Sequence, residues 1–537
     1  MANLDFLASN DAAEQLAQIN RGIEKEGLRV NQAHELATTP HPQLLGSALT
    51  SSWITTDFSE SLLEFITPVH KNIHDSLDFL ADAHGKVASL IDNEDIWAAS
   101  MPCALPTDEK IPLAQYGNSN IGTMKTAYRR GLGYRYGRAM QTVAGVHYNF
   151  SLPDAYWNLE YERYCNQLNQ ADTAAGTFSN TRLRHYTDTR YLDLIRNFRR
   201  NYWLLIYLFG AAPCVDASFL EGRPHNLDKT GTRDYGMPHA TSLRMGDLGY
   251  QSAVQKSLFV CYNELNNYIA TLQGAIKTPY PAYEKIGTLV DGEYRQLSTS
   301  VLQIENEFYS AVRPKRVTQS GEKPLHALRD RGIQYIEVRC MDIDPFAPLG
   351  ISEETIRFLD TFLVFCLAYP SAQCDEAEFR RIGENQARIV KFGRDPDLQL
   401  DQHGKLINAR QLAADLLGKM QGVADALDCA NQNTKPNVKA NQKHASALAT
   451  QREKIEDQSL TPAARLSHEL QQSGSSFLEF TAAQSARFMQ QHRARNISSQ
   501  RNNAFNNEIA ASQKLQKEIE QNDSMNFDEF LKQYYSR

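Results

Sequence analysis

Four short runs of strand-forming residues each carry a carboxylate or an imidazole where a purely structural strand would carry a hydrophobe. They are Ile23-Glu24-Lys25-Glu26, Leu62-Leu63-Glu64-Phe65-Ile66, Gly145-Val146-His147-Tyr148-Asn149 and Tyr335-Ile336-Glu337-Val338-Arg339. In a strand, residues i and i+2 point the same way. Glu24 therefore shares a face with Glu26, His147 with Asn149, and Tyr335 with Glu337 and Arg339. One sheet holding all four runs would set its carboxylates against one another unless cations sat among them. Hard oxygen ligands of this kind suit Mg²⁺ or Mn²⁺, and such ions are most often gathered to hold a polyphosphate.

The charge balance of the whole chain fits that expectation. A formal charge of −7 argues against a general nucleic-acid binder, which is normally basic. An anionic substrate would then be met locally, by arginines or by bound metal. The longest apolar run, from Tyr202 to Pro213, follows Arg199 and Arg200 directly. It falls short of the roughly 20 residues that cross a bilayer, so a buried helix is expected and no membrane partner. The N-terminal stretch MANLDFLASNDAAEQL lacks the basic region of a secretory signal. The 8 cysteines are scattered, with no CxxC pair. Reduced, buried thiols in a cytoplasmic protein are expected.

The length of 537 residues does not by itself fix the number of domains. A helix is expected within residues 1–20, with Ala12, Leu16 and Ile19 as its apolar stripe. Residues 20–150 are mixed, 155–210 helical, and 221–224 and 230–232 loop-like. A second mixed region, 280–345, holds two expected strands, Val301–Tyr309 and Ile333–Arg339. After Pro348 the character changes: Ser352 caps an expected helix that Pro370 stops. Residues 1–350 thus form the expected mixed α+β core, which carries the candidate residues, and 351–537 a mainly helical region. Within the latter, 430–452 and 484–522 are rich in Asn, Gln, Ser and Lys and suit exposed helix or surface rather than core.

Each candidate residue has a plain structural alternative. Glu24 and Glu26 alone would be a solvated edge strand. Asp57 and Glu64, however, sit among Trp53, Ile54, Phe58, Leu62, Phe65 and Ile66, where carboxylates are costly to bury unless paired or metal-bound. Glu60, nearer the turn, is expected at the surface. His147 in its apolar strand is either a satisfied core residue or, opposite carboxylates, a metal ligand. Gln303, Glu305 and Glu307 alternate before Arg313-Pro314-Lys315-Arg316, which is either a solvated basic loop or a phosphate-binding cluster. Residues 125–138 mix aromatic and basic side chains and suit a solvated loop, or a mobile one that captures a small carboxylate-bearing substrate. Neither a GxGxxG loop nor a Walker motif is present.

Taken together, these segments resemble the proteobacterial type of glutamate–cysteine ligase (γ-glutamylcysteine synthetase). The resemblance rests on residues 22–26, 53–58, 62–68, 113–117, 140–142, 145–153, 240–244, 247–250, 303–307 and 336–339, and covers about residues 20 to 350. It implies an α+β fold: a glutamine-synthetase-like antiparallel sheet whose concave face binds ATP, metal and amino acids, with helices around it. It also implies ATP-dependent joining of L-glutamate to L-cysteine, the first step of glutathione synthesis, with glutathione as a feedback inhibitor. Carried over position by position, Glu24, Glu26, Asp57, Glu64, His147 and Glu337 match the metal ligands. Arg339 and Lys315 match catalytic cations near the phosphates, with Arg313 beside them. Tyr128, Arg129, Leu132, Gln141, Arg244, Tyr250 and Tyr309 match the amino-acid pocket. Loop 221–239 and the C-terminal tail depart from the family pattern. A ligase for another amine, a metal-dependent phosphohydrolase using the same acids, and a helical interaction protein stand as alternatives.

Overall fold

Seven strands of alternating character build one sheet. The computed structural model describes residues 3–168, 180–249, 253–256, 258–319, 321–434 and 443–536. The strands are β1 (Asn20–Asn31), β2 (Ile54–Thr56), β3 (Leu62–Ile66), β4 (Glu94–Ile96), β5 (Val146–Ser151), β6 (Val312–Lys315) and β7 (Tyr335–Met341). They lie in the order β6-β7-β5-β1-β3-β2, with β4 pairing the end of β1. Every pairing is antiparallel.

Register decides which side chains share a face. Ile23 pairs with Tyr148 and Lys25 with Phe65, while β7 sets Val338 against Tyr148 and Ile336 against Phe150. That face is apolar, and its Ile23, Phe65, Tyr148, Phe150, Ile336 and Val338 are fully buried. Each such side chain removed from water contributes about 1.5–3 kcal/mol. Helix Ile73–Ala88 packs behind β1 and β3, and helix Glu353–Ala368 packs on it. Asp360 of the latter ties the back of the sheet together, accepting from Arg21 at 2.7 Å and from the Tyr148 hydroxyl at 2.6 Å.

The helices after residue 350 are not a separate layer, since one hydrophobic cluster runs from Leu7 to Phe505. Ser352 caps Glu353–Ala368 as expected, accepting from Thr355 N at 3.1 Å. The apolar run after Arg200 is the buried helix Trp203–Phe209. Among the described residues no helix is long and apolar enough to cross a membrane. The cysteines are unpaired, and Cys429 is exposed. Polar stretch 484–522 is largely exposed helix with a buried seam at Phe488, Met489 and Phe505. Of stretch 430–452, residues 435–442 lie outside the described residues.

Three expectations are corrected. Residues 125–138 are not a loop: all but the last two belong to helix Asn120–Tyr136, capped by Ser119, whose side chain accepts from Gly122 N. Packing overrides the weak helix propensity of its glycines. Val301–Tyr309 is not a strand but an irregular segment with one short turn, Glu305–Glu307. Side-chain bonds to backbone compete there with sheet pairing: Glu307 accepts from Gln303 N at 2.6 Å, and Gln303 accepts from Leu297 N at 2.9 Å. Glu60 is buried rather than at the surface, because its carboxylate accepts the backbone N–H groups of His41 and Gln115.

Candidate active site

The second face of the sheet is polar, and the register assembles it. Glu26 stands opposite Glu64, Glu24 opposite His147, and Glu337 between Asn149 and Arg313. One ligand atom each from Glu24, Glu64 and His147 lie within 4.8 Å of one another. His147 Nδ1 lies 3.3 Å from Glu24 Oε2 and 3.8 Å from Glu337 Oε1, and Nε2 lies 3.7 Å from Glu26 Oε1. Asn149 Nδ2 donates to Glu24 at 2.8 Å. Gly145 N donates to Glu26 at 2.6 Å. A side chain at Gly145 is excluded, since its Cβ would meet Arg244 Nη2 at 2.0 Å.

Electrostatics split these acids. Burial raises the Glu64 carboxyl well above its usual range, and the charges of Glu24, Asp57 and Glu26 push it further. Burial also raises Glu26, helped by Asp57 and opposed by His147, Arg244 and Arg339. Glu24 goes the other way: burial works to raise it, but the hydrogen bond with His147 and the charges of His147 and Lys315 hold it low. Glu337 lies well below its usual range, because Arg339, Lys315, His147 and Arg313 outweigh its burial. Arg339 Nη1 is 3.0 Å and Lys315 Nζ 3.6 Å from Glu337 Oε1.

The donor set suits a divalent ion. His147 Nε2, Asn149 Oδ1 and Glu337 Oε2 are buried without a hydrogen-bond partner among the described residues. Buried polar atoms of native proteins are rarely left so. Carboxylate oxygens, an amide oxygen and an imidazole nitrogen, all on rigid strands, are a ligand set for Mg²⁺ or Mn²⁺. Asp57 sits at the rim, half exposed, with Arg129 Nη2 4.0 Å away.

Helix Asn120–Tyr136 brings the second group of residues. Arg129 stacks 4.6 Å over Tyr116, whose hydroxyl donates to the carbonyls of Thr56 and Asp57, both at 2.9 Å. Leu132, one turn on, is buried. Gln141 Nε2 donates to the Tyr309 hydroxyl at 2.9 Å. Arg244 is buried beneath β7, donating to the Arg339 carbonyl at 3.1 Å. Arg313 Nη2 is committed to the carbonyls of Asn306 and Phe308, facing the turn rather than open space. Tyr250 lies outside the described residues.

Two side chains escaped the sequence reading. Asn149 was visible as the i+2 neighbour of His147, but its part in holding Glu24 needed the β1–β5 register. Lys125, one helical turn before Arg129, also stacks on Tyr116 at 4.6 Å. Burial, with the charge of Arg129, pushes its ammonium down to about 8. No signal in a sequence read as loop would have placed it here.

The profile of the glutamate–cysteine ligase family matches residues 4–389. Glutamate–cysteine ligase of Pseudomonas putida is 47% identical over 519 residues, covering 97% of this chain and 95% of the relative. That of Saccharophagus degradans is 47% identical over 525 residues, covering 97% of this chain and 95% of the relative. The crystal structure of the Francisella tularensis glutamate–cysteine ligase in complex with AMP superposes with a TM-score of 0.87 at 33% identity, covering 97% of this chain and 98% of that one. The chain belongs to the glutamate–cysteine ligase family.

Proposed function

We propose that the polar face of the sheet carries out the family's reaction with the residues it gathers. The enzyme joins the γ-carboxylate of L-glutamate to the amine of L-cysteine at the expense of ATP, giving γ-glutamylcysteine, ADP and phosphate, the first step of glutathione synthesis. The observation that supports the residue roles is the register: neighbouring antiparallel strands bring Glu24, Glu26, Glu64, His147 and Glu337 to one face, with three buried polar atoms left over.

Glu24, Glu26, Glu64, His147 and Glu337 would hold Mg²⁺ or Mn²⁺, with Asp57 at the rim. Divalent ions bound there supply neutralising charge to the phosphates of ATP. A carboxylate is a poor electrophile, so an oxygen of the glutamate γ-carboxylate first attacks the γ-phosphorus of ATP, and the bond to the ADP oxygen breaks. Arg339 and Lys315, beside Glu337, stabilise the charge on the transferring phosphoryl group, which is mainly an electrostatic task. The cysteine amine then attacks the acyl carbon, loses a proton, and phosphate departs. Tyr128, Arg129, Leu132, Gln141, Arg244 and Tyr309 form the amino-acid pocket, with Arg129 suited to a substrate carboxylate and the buried Arg244, held by the Arg339 carbonyl and 3.7 Å from Asp342, bracing the pocket from beneath. Residues 1–350 supply this chemistry and 351–537 its helical support. A cytoplasmic setting, and glutathione as a feedback inhibitor, belong to the same proposal.

The test is coupled ADP release with Mg²⁺ or Mn²⁺ while each substrate is withheld in turn. Sustained turnover should require glutamate and cysteine together. Phosphate release from ATP with no amine present would instead make the site a phosphohydrolase. A 2-aminobutyrate rate matching that of cysteine would remove the thiol from its specificity.

A further inference from the structure

We propose that the C-terminal residues 499–536 act as a strap that positions helix Asn120–Tyr136, with Asp523 and Tyr535 as its positioning residues. This rests on the proposal above that Tyr128, Arg129 and Leu132 face the amino-acid substrates.

The strap begins on the back of the sheet and ends on the substrate side. Near its start, Arg495 and Arg501 grip Asp82 of helix Ile73–Ala88 at 2.6 and 3.2 Å. Helix Ser499–Asn522 then passes the segment before β2, where Ser47 N donates to Ser512 Oγ at 3.0 Å and Thr50 Oγ1 donates to the Ser512 carbonyl at 2.6 Å. It reaches the N-terminal end of the substrate-facing helix at Glu520, which accepts from Asn118 N at 3.0 Å.

There the strap takes hold of the helix end. Asp523 accepts the Asn120 backbone N–H with one carboxylate oxygen and the Asn120 side-chain amide with the other, the latter at 2.5 Å. The same amide also donates to the Met525 carbonyl at 2.7 Å. The first N–H groups of a helix lack intrahelical partners and carry its positive end, so a carboxylate there both satisfies and anchors it. The chain leaves room for this approach at Gly117: its φ is +79° and a Cβ would lie 2.1 Å from Glu520 Oε1.

Helix Phe527–Ser536 then lies along the outer face of helix Asn120–Tyr136. Leu531 and Phe527 pack with Met124 and Ala127 in a hydrophobic cluster separate from the main core. Near the far end the Tyr535 hydroxyl donates to the Gln303 carbonyl at 2.8 Å, and Gln303 Nε2 donates to the Tyr128 carbonyl at 3.2 Å. The helix is therefore held at its start, along its outer side and, through Gln303, at its middle. Met124 and Arg129 are five residues apart, so at 100° per residue they point about 140° apart. The strap thus grips the side of the rod away from Arg129, while Tyr128, about 40° from Met124, packs against the strap's own cluster, and displacing the strap moves both residues. Small misplacements of positioning groups carry large kinetic costs.

The experiment uses the full chain with Asp523→Ala, Asp523→Asn, Tyr535→Phe and Arg129→Ala. Each is assayed for ADP release with glutamate, cysteine and ATP varied separately, and for its thermal midpoint. Asp523→Ala and Tyr535→Phe should raise the KM for at least one amino acid on the order of tenfold, with the ATP KM within about twofold and the midpoint lowered by no more than about 2 °C. Asp523→Asn, which keeps an acceptor for the Asn120 N–H, should recover most of the loss. Amino-acid KM values within about twofold of wild type in both strap variants overturn the proposal. So does a rise in ATP KM matched by a fall in midpoint, which would mark a purely structural role. If Arg129→Ala raises the amino-acid KM while the strap variants do not, the strap alone fails. If Arg129→Ala changes nothing, the assignment of the helix to the amino acids fails, and the strap's role with it.

Discussion

Replacing Glu64 with Gln should make the metal-free enzyme more stable while removing its activity. Glu64 supplies an oxygen within 4.8 Å of its counterpart on Glu24. Two unit charges at that separation, at an effective dielectric constant near 20, repel by about 3.5 kcal/mol. Solvent reaches part of Glu64, and Arg129 offsets some of the field. Screening of that kind reduces the net gain to about 1–2 kcal/mol. The sign also follows from burial and like charge, which raise the Glu64 carboxyl. A raised folded pKa means that wild type loses stability as pH climbs from the ordinary carboxylate range through the raised value. The advantage of the Glu64→Gln variant therefore grows with pH and vanishes below about pH 4. The assay is thermal unfolding at one scan rate, in chelator and again with excess Mn²⁺. In chelator, Glu64→Gln should melt about 1–2 °C above wild type, and the Mn²⁺-induced rise seen in wild type should largely disappear. A variant that melts at or below wild type in chelator, or that keeps the full Mn²⁺ response, would refute the crowding of carboxylates on which the site is built.

Three further outcomes are expected. Glu337→Gln removes the acid flanked by Arg339, Lys315 and His147 and should cut ADP formation by ~100-fold or more with an unchanged circular dichroism spectrum; near-normal turnover would take Glu337 out of the site. Asp360→Asn strands the buried Arg21 guanidinium and should cost about 3–5 kcal/mol of stability at pH 7, read from denaturant midpoints. Because Arg21 outweighs burial and holds the Asp360 carboxyl low, its contribution is present above the ordinary carboxylate range and fades as pH falls through the lowered value, so wild type and variant should converge in acid. Tyr309→Phe removes the hydroxyl bonded to Gln141 and should raise an amino-acid KM several-fold, consistent with about 0.5–1.5 kcal/mol for one hydrogen bond, while leaving the ATP KM in place.

The sheet was legible because its signal has a period of two and needs nothing beyond the strand itself. Glu24, Glu26, His147 and Glu337 announced their face through their neighbours at i±2, and the antiparallel register then set them side by side. Helix Asn120–Tyr136 was illegible for the opposite reason. Its glycines and mixed polar surface give no apolar stripe, and it is held by partners distant in sequence, Gln303 and Asp523. Gln303 and Glu307 misled because alternation also arises when polar side chains turn back to bind local backbone. Glu60 was hidden similarly, since the N–H groups it satisfies belong to loops at His41 and Gln115.

One geometric condition ties fold to chemistry, and it lies in β1. Lys25 stands between Glu24 and Glu26 in sequence but faces the other way, buried with its Nζ 3.0 Å from His84 Nε2. Burial pushes its ammonium down to about 7. A slip of one residue would turn Lys25 into the carboxylate cluster and drive Glu24 and Glu26 into the apolar core. Two unpaired carboxylates in that core would each carry a cost of several kcal/mol, so the slipped register has no stable counterpart. Gathering like charges on the front is therefore possible because the back admits one alignment. Ile23 against Tyr148, Lys25 against Phe65, and Arg21 locked to Asp360 fix that alignment. The residues that never meet a substrate hold the ones that do in register.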